Sequence, residues 1–329
     1  MLLLTKQDIK KIFTMQDAVK ADKQAFQIYS EGGSVVPLRV NIGVPNYEGQ
    51  TLFMPGYVEN LDSMGVKIVS VFPQNIKKGL PSLPATMLLI DGTSGEVCCI
   101  LDGTYLTQLR TGAAAGAATD LLARADAHIG GLIGTGGQAI SQLEAMLTVR
   151  KLTEVRIVGT NFERTQLFVA QMQEEFANFK TLLRAVETSE EAITNADIIT
   201  AVTTSLQPVF DGRLVKAGAH INGVGSYLPN MQELDEVIIH RAAKIFFDSQ
   251  EAVLAESGDF IIPLSKGTLT MDKFTGEIGK VFSNNLPGRE TPEEITLFKT
   301  VGIAVLDIVT AHQIYQSALK QEIGQKFIF

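Results

Sequence analysis

The sequence predicts an α/β protein in which a doubly wound parallel sheet is joined to an α+β domain. Two observations lead to this fold class. Short strand-like segments separated by Gly, Pro and Asn lie between residues 37 and 101, which is typical of an antiparallel or mixed sheet. Beyond residue 127, apolar strand-like runs alternate with helical patterns, which indicates a parallel sheet with helices on both faces.

The composition limits the class of partner. The 329 residues are 45% hydrophobic and include 36 acidic and 28 basic residues, for a net charge of −8. The apolar content allows a large core, and the negative charge argues against nucleic acid or an anionic membrane as partner. No apolar run approaches the ~20 residues that span a bilayer. Charges also interrupt the first apolar stretch at once, unlike in a signal peptide. We therefore expect a cytoplasmic protein.

The cysteines and histidines do not form a metal-ligand pattern. The four histidines are scattered, and Cys98 and Cys99 are adjacent. Neighbouring side chains on a strand point to opposite faces, so we expect no disulfide between these two cysteines. No metal site is predicted.

The helices and strands are predicted from start, stop and periodicity signals. Thr14 is a predicted N-cap and Gly32 a predicted stop for the first long helix. The Ala-rich segment RTGAAAGAATDLLARA, residues 110–125, predicts a helix packed closely against a neighbour. A long amphipathic helix ends the chain. The predicted strands of the second part lie at 128–133, 154–159, 197–202, 219–224 and 244–248.

The strongest motif is the glycine-rich turn in HIGGLIGTGGQAISQLEAML, where an apolar strand runs into a turn and then a helix. The turn consists of Gly134, Thr135, Gly136, Gly137, Gln138 and Ala139. This is G-x-G-x-x-A in the context that a dinucleotide-binding site requires. The first glycine permits the tight turn, the second lets the backbone approach a pyrophosphate at the helix N-terminus, and the alanine lets helix and strand touch. The alternative is a glycine-rich turn without a ligand.

The segment EVRIVGTNFERT predicts which dinucleotide is bound. An Asp or Glu that binds the ribose 2′-hydroxyl of NAD is expected after the second strand, roughly 20 residues beyond the glycine motif. Asn161 and Arg164 stand there instead. A neutral side chain does not repel a 2′-phosphate, an arginine forms charge-assisted hydrogen bonds with one, and Thr165 adds a hydroxyl. We therefore expect NADP(H) to be preferred, with NAD(H) as the second candidate. The alternative is that Arg164 is a solvated helix residue.

Hydroxyl side chains follow a further strand. Thr203, Thr204 and Ser205 stand at its carboxyl end, where open α/β sheets bind ligands. Contact with the cofactor and an ordinary hydroxyl-rich turn both remain open.

Three cations are candidates for substrate binding. Arg39 and Lys67 lie in strand-like runs, where a charge is costly unless it is paired. Arg110 precedes the Ala-rich helix. If the three converge, they would suit an anionic substrate, most simply an α-carboxylate. For each alone, a salt bridge or a snorkelling side chain is the alternative.

Taken together, these residues resemble the ornithine cyclodeaminase/μ-crystallin family over nearly the whole chain. The similar segments are PLRVNI, FMPGY, GVKIVSVFPQN, ILDGTYLTQLRTGAAAGAAT, GTGGQA, INGVGSYLPNMQELD and RETPEEITLFKTVGIAVLD. The resemblance implies a homodimer. It also implies a Rossmann domain that binds NAD(P) at 119–304 and a substrate-binding/dimerisation domain formed by 1–118 and 305–329.

The resemblance also implies residue roles. Arg39, Lys67 and Arg110 would hold the substrate carboxylate, with Lys67 also a candidate proton donor. The cofactor contacts would further include Arg110, Thr111, Val224 and Gly225. One departure bears on the reaction, because cyclodeaminases and related alanine dehydrogenases carry an Asp where this chain has Tyr227. A phenol does not ionise near neutral pH, so it cannot act as the carboxylate partner of an ammonium group.

We therefore expect NAD(P)H-dependent reduction of a cyclic imine carboxylate, which is a small-molecule substrate. The expected reaction converts Δ1-pyrroline-2-carboxylate to L-proline, with Δ1-piperideine-2-carboxylate to L-pipecolate as a further one. Lys67, Tyr227 or water would supply the proton. Three alternatives stay open: an ornithine cyclodeaminase that forms L-proline and ammonia, an alanine dehydrogenase-like enzyme, and a non-catalytic protein that binds NADPH or another ligand.

Overall fold

The computed structural model describes residues 1–328 and divides the chain into two compact units. Unit 1 consists of Met1–Arg110 and the segment from Ile303 onward, and unit 2 of Thr111–Gly302. The sequence predicts the two boundaries at 118/119 and 304/305. The first boundary lies inside a continuous helix, where a sequence pattern offers no signal for it.

Unit 1 is built on a mixed sheet with helices on one face. Its strands are β1 (Leu2–Leu4), β2 (Ser34–Val35), β3 (Val40–Val44), β4 (Gly49–Val58), β5 (Ser63–Val71), β6 (Ala85–Asp91), β7 (Val97–Asp102) and β16 (Gln325–Lys326). Its helices are α1 (Lys6–Ile12), α2 (Met15–Ser30), α11 (Ala304–Gln321) and the first part of α3 (Gly103–Leu122).

The sheet of unit 1 buries one face. Its strand order is β16-β1-β7-β6-β5-β4-β2, with β3 also paired to β4. β1 and β7 are parallel, and the other neighbours are antiparallel. α11 packs on the buried face, and α2 packs on α11. Gly56 permits this approach, because a Cβ there would lie 2.8 Å from Cδ1 of Ile308. The mixed sheet predicted for this part of the chain is confirmed.

Helix starts follow local capping chemistry. The hydroxyl of Thr14 caps α2 by accepting a hydrogen bond from the N–H of Asp17, and the carboxylate of Asp17 accepts one from the N–H of Thr14, which confirms the predicted N-cap. Gly32 follows the helix with φ +78°, as expected of a stop. α3 begins at Gly103, earlier than predicted, because Asp102 accepts a 2.9 Å hydrogen bond from the N–H of Tyr105.

Unit 2 alternates strands and helices. Its strands are β8 (Ile129–Ile133), β9 (Glu154–Val158), β10 (Leu182–Ala185), β11 (Ile198–Ala201), β12 (His220–Gly223), β13 (Lys244–Phe247), β14 (Gly276–Glu277) and β15 (Thr296–Lys299). Its helices are α4 (Ala139–Val149), α5 (Phe162–Glu175), α6 (Ser189–Ile193), α7 (Glu236–Arg241), α8 (Gln250–Glu256), α9 (Gly258–Lys266), α10 (Gly279–Phe282) and the second part of α3.

The sheet of unit 2 is parallel and has the order β10-β9-β8-β11-β12-β15-β13-β14. The chain therefore reverses direction across the sheet between β8 and β11, and such a switch point is where doubly wound sheets bind ligands. The Ala-rich helix packs closely, as predicted, because a Cβ at Gly112 would clash with the carbonyl oxygen of Ser141. The predicted doubly wound fold is confirmed.

Two further observations concern the described residues. In residues 1–328, no helix combines the length and apolarity needed to cross a bilayer; a cytoplasmic location stays a prediction. Cys98 is half-buried and Cys99 is buried on β7, and both are free thiols, as their alternation on a strand predicts.

Candidate functional site

A buried cluster of charges lies in unit 1. The Nζ of Lys67 on β5 is 2.8 Å from both carboxylate oxygens of Asp307, in the first turn of α11. The Nε of Arg110 donates to the same carboxylate at 2.9 Å. All three side chains are buried. A single acid is thus shared by two cations in a region closed to water.

The strand register explains why the predicted cations meet. Lys67 pairs with Met54 on the neighbouring strand β4 and lies on the face that α11 covers. Arg39 stands immediately before β3, whose first residue pairs with Phe53 of β4. Arg39 is half-buried, and its positive charge helps to lower the pKa of Lys67. Unit 1 therefore brings together Arg39, Lys67 and Arg110.

The electrostatics of the cluster favour binding of an anion. Burial, and then the charge of Arg110, lower the pKa of Lys67 to about 7 against the opposing effect of Asp307. Asp22 on α2 is fully buried near the cluster, and burial raises its pKa well above the usual range, which favours its neutral form. Its Oδ1 accepts a hydrogen bond from Thr310, while no residue of 1–328 pairs with Oδ2. Two buried basic side chains thus share one carboxylate, so positive charge is in excess while Lys67 is protonated.

The glycine-rich turn of unit 2 lies at the carboxyl end of β8, beside the switch point. Gly134 has φ +113°, and a Cβ there would lie 2.6 Å from the carbonyl oxygen of Val202. Gly136 and Gly137 are exposed, with open space where their side chains would be. No side chain caps α4, which starts after Gln138, and the buried Oε1 of Gln138 has no partner among residues 1–328. An open backbone turn at an uncapped helix N-terminus fits the pyrophosphate of a dinucleotide.

Two further residues of the motif support the turn. Ala139 is fully buried at the start of α4, which allows the close approach of helix and strand that the motif requires. Thr135 is half-buried, and its Oγ1 lies 2.7 Å from where a Cβ of Gly159 would be. The turn after β8 thus packs on the turn after β9.

The turn after β9 presents Asn161 and Arg164, both exposed. Asn161 caps α5, and its Oδ1 accepts a 2.8 Å hydrogen bond from the N–H of Arg164. Thr165 departs from the prediction that it offers a hydroxyl to a phosphate. It is fully buried, and its hydroxyl donates to the carbonyl of Asn161 at 2.9 Å. This position lies four residues after the cap and faces inward, so Thr165 supports the turn.

The hydroxyl-rich turn after β11 is partly occupied by its own hydrogen bonds. Thr204 is exposed, and Thr203 is half-buried with its Oγ1 accepting from the N–H of Ser205. The hydroxyl of Ser205 donates to the carbonyl of Gln207 at 2.7 Å. Thr204 therefore keeps the hydroxyl exposed to solvent, while those of Thr203 and Ser205 take part in shaping the turn.

Three of the remaining predicted residues lie around the turn after β12, and one lies on α3. Val224 is buried, while Gly225 and Tyr227 are half-buried. The position of Gly225 admits no side chain, because a Cβ would clash with the backbone of Thr203. Thr111 is half-buried on α3, and its carbonyl accepts a 2.9 Å hydrogen bond from the side chain of Gln142.

Sequence reasoning missed two buried acids, Asp307 and Glu233. Asp307 interrupts the apolar run GIAVLDIV, and an acid there signals a buried partner. Glu233, in the segment MQELD, is fully buried and accepts hydrogen bonds from three backbone N–H groups. Its polar surroundings in the sequence give no such signal.

The sequence matches the model of the ornithine cyclodeaminase/mu-crystallin family over residues 1–322. The chain belongs to this family. A Δ1-pyrroline-2-carboxylate reductase of Bacillus cereus is 36% identical, and the alignment covers both chains completely. The structure of the Thermococcus litoralis Δ1-pyrroline-2-carboxylate reductase, in complex with NADH and L-proline, is 38% identical. It superposes with a TM-score of 0.94 and covers 99% of this chain and 100% of its own.

A second solved structure of the family is an archaeal alanine dehydrogenase dimer with bound NAD. It is 33% identical, has a TM-score of 0.91, and covers 100% of this chain and 99% of its own. The family thus includes proteins named for different reactions on one fold, so the side chains of the site have to distinguish between them.

Asp307→Ala tests the charge cluster. The substitution leaves Lys67 and Arg110 buried without a counter-ion, which costs about 3–5 kcal/mol in the free energy of unfolding. Urea denaturation of both proteins measures this loss. Lys266→Ala is the matched control, because it removes one partner of an exposed ion pair, with Glu236, and should change stability little. Equal effects of the two substitutions would contradict a buried, shared carboxylate.

Proposed function

We propose that the protein reduces a cyclic imine carboxylate with NAD(P)H, converting Δ1-pyrroline-2-carboxylate to L-proline. We include Δ1-piperideine-2-carboxylate as a second substrate of the same chemistry. The observation that carries the proposal is the buried cluster in which Lys67 and Arg110 share the single carboxylate of Asp307, so that the cluster has one more positive than negative charge while Lys67 is protonated. A substrate carboxylate supplies the missing negative charge.

The side chains of unit 1 bind and protonate the substrate. Arg110 and Arg39 are permanently charged, and they hold the carboxylate through charge-assisted hydrogen bonds. Lys67 has a pKa of about 7, so its ammonium releases a proton near neutral pH more readily than an ordinary lysine does. Asp307 orients this ammonium through both of its oxygens. Lys67 is therefore the proposed proton source for the substrate nitrogen.

Unit 2 supplies the reductant. NAD(P)H, when bound, provides the hydride that is added to the imine carbon. The turn 134–139 holds its pyrophosphate by backbone N–H groups and the N-terminus of α4. Fixed orientation of the reactants then accounts for much of the rate.

We propose a preference for NADPH over NADH. The support is the pair Asn161 and Arg164, exposed together after the carboxyl end of β9, where Thr160 and Asn161 follow the turn glycine in place of an acid; the nearby acid, Glu163, lies in the first turn of α5. The neutral amide of Asn161 does not repel a 2′-phosphate, and the guanidinium of Arg164 attracts it.

We also propose a homodimer in which the second copy covers the open face of the unit 1 sheet. Apolar side chains on this face are only half-buried, and a cavity of about 590 Å³ opens there, lined by residues such as Leu3, Ile68 and Ile100. An uncovered apolar sheet face of this kind is typical of an interface. The archaeal alanine dehydrogenase relative is a dimer, which supports this proposal.

A side-by-side assay tests the function. The protein is given the cyclic imine, L-ornithine, or pyruvate with ammonia, each with NADPH or NADH, and with NAD+ for ornithine. We expect loss of absorbance at the reduced-nicotinamide band with the imine alone, because Tyr227 offers no carboxylate for the amino group of ornithine. Proline and ammonia formed from ornithine, or pyruvate reduction that requires ammonia, would assign the alternative enzymes. Cofactor binding without turnover of any substrate would assign a binding protein.

The pH dependence tests Lys67 as proton source. The donor is its protonated form, so kcat/KM for imine reduction should fall as pH rises through about 7, where Lys67 loses its proton. Lys67→Arg keeps the positive charge but does not deprotonate in this range. The variant should bind the dinucleotide normally, reduce the imine at least about 100-fold more slowly, and show no fall near pH 7. The same fall in the variant would remove Lys67 from this role.

Arg164→Ala tests the cofactor preference. Loss of one charge-assisted contact should raise the KM for NADPH by about tenfold or more and leave the KM for NADH unchanged. Lys151→Ala is the control, because it removes an exposed cation between α4 and β9, at the amino end of the strands. Equal changes for both cofactors, or the same change in the control, would speak against a 2′-phosphate contact.

A further inference from the structure

The buried carboxylate of Glu233 joins two turns of unit 2. Its Oε1 accepts a hydrogen bond from the N–H of Thr203 at 2.5 Å. Its Oε2 accepts from the N–H groups of Gly225 at 2.5 Å and Ser226 at 2.9 Å. The turns follow β11 and β12, and their backbones are in contact, since a Cβ on Gly225 would overlap with Thr203. One side chain thus fixes both turns by their main chain.

The position of these turns links Glu233 to one half of a dinucleotide. In a doubly wound sheet, the strands on each side of the switch point bind one mononucleotide each. Here the adenosine side is that of β9, where Asn161 and Arg164 lie. The turns after β11 and β12 lie on the other side of the switch point, the half that in such a sheet would bind the nicotinamide nucleotide. Tyr227 follows Ser226 directly, so its position also depends on the second turn.

A second buried acid holds Glu233 in place. Oδ1 of Asp259 accepts from the N–H groups of Glu233 and Leu234 at 2.6 and 3.0 Å. Its Oδ2 forms a 2.9 Å ion pair with Lys299, at the carboxyl end of β15. Side chains of both partners are fully buried. Because buried ion pairs seldom add stability over apolar packing, their concentration at the ligand-binding edge favours a role in geometry.

We propose that Glu233 is a positioning residue for the nicotinamide ring. It acts through the backbone of Thr203, Gly225 and Ser226 and does not touch the ring. This inference rests on the proposed binding of NAD(P)H by unit 2. Three N–H donors require an acceptor on both oxygens, which the carboxylate of Glu233 provides; burial raises the pKa of Glu233, while the charge of Lys299 and the hydrogen bond from the backbone of Thr203 oppose that rise. Glu233→Gln keeps the volume but turns an NH2 group toward at least one of these donors, and so releases one turn.

The expected effect separates binding from chemistry. The pyrophosphate and adenosine contacts lie at other turns, so Glu233→Gln should change the Kd for NADPH by less than about threefold. Misplacement of a reacting group by about 1 Å costs on the order of 100-fold in rate, and we expect a fall in kcat of about 10- to 100-fold. The kinetic isotope effect with 4-deuterated NADPH should rise, because hydride transfer becomes rate-limiting. Glu233→Asp, which retains the carboxylate, should recover part of kcat.

Asp197→Asn is the matched control. Asp197 is a buried acid of the same sheet that accepts from the N–H groups of His128 and Ile129 and pairs with Lys216. It precedes β11, at the amino ends of the strands. The control should lower the melting temperature but leave kcat and the isotope effect unchanged. Equal losses of kcat in the control and in Glu233→Gln, or an unchanged isotope effect in Glu233→Gln, would overturn the proposal.

Two further outcomes keep the tests distinct. If Glu233→Gln does not fold, Glu233→Asp carries the test, and an unchanged isotope effect in this variant overturns the proposal. If the wild-type protein binds NADPH but reduces no imine, the proposed reaction fails alone. The emission of bound NADPH then decides on Glu233: loss of ring immobilisation in Glu233→Gln supports the proposal, and an unchanged emission overturns it. Absence of dinucleotide binding by the wild-type protein overturns both proposals.

Discussion

The sharing of one carboxylate by two buried cations is the interaction on which unit 1 depends. Removing an ion from water costs several kcal/mol even after the protein relaxes, and Asp307 offsets only one of the two positive charges. The face of the sheet around Lys67 is otherwise apolar, so a Met or Leu in place of Lys67 would be buried at a lower cost in free energy. A charged side chain that is buried at this cost indicates a functional role for Lys67. The lowered pKa of Lys67 is the direct consequence of that burial.

Unit 2 depends on a different constraint, the close approach of backbone to backbone at the carboxyl ends of its strands. Gly134 lies against Val202, and Gly225 lies against Thr203, so neither position accepts a side chain without a shift of the turn. At the turn after β8, Gly136 and Gly137 stay exposed, which leaves their backbone accessible to a ligand. Glycines have no side chain that could pack and fix such turns. Glu233 fixes two of the turns instead, because its carboxylate accepts hydrogen bonds from the backbone of both.

Sequence patterns predicted those features of the fold that depend on residues close together in the chain. The five parallel strands expected in unit 2, the N-cap Thr14 and the glycine turn all depend on residues adjacent in sequence. The partner of Lys67 could not be found in this way, because Asp307 lies 240 positions further along the chain. The prediction for Thr165 is wrong for a related reason. The direction in which α5 leaves its N-cap turns the Thr165 hydroxyl inward, and the sequence does not show this direction. Glu233 stayed hidden because a polar segment does not reveal which of its members is buried.

The charge balance of unit 1 also bears on which substrate fits. Burial of a titratable side chain can suppress its charge: burial lowers the pKa of His220 to about 3, so it stays neutral between Thr296 and Asn222. The cluster at Lys67, by contrast, carries an excess of positive charge while Lys67 is protonated, and it lies beside Asp22, whose neutral form is favoured by burial. Ornithine carries two ammonium groups and one carboxylate, so it would add positive charge where a surplus exists, and Tyr227 offers no compensating anion. An imine carboxylate brings its negative charge without an ammonium group, and therefore balances the site on binding.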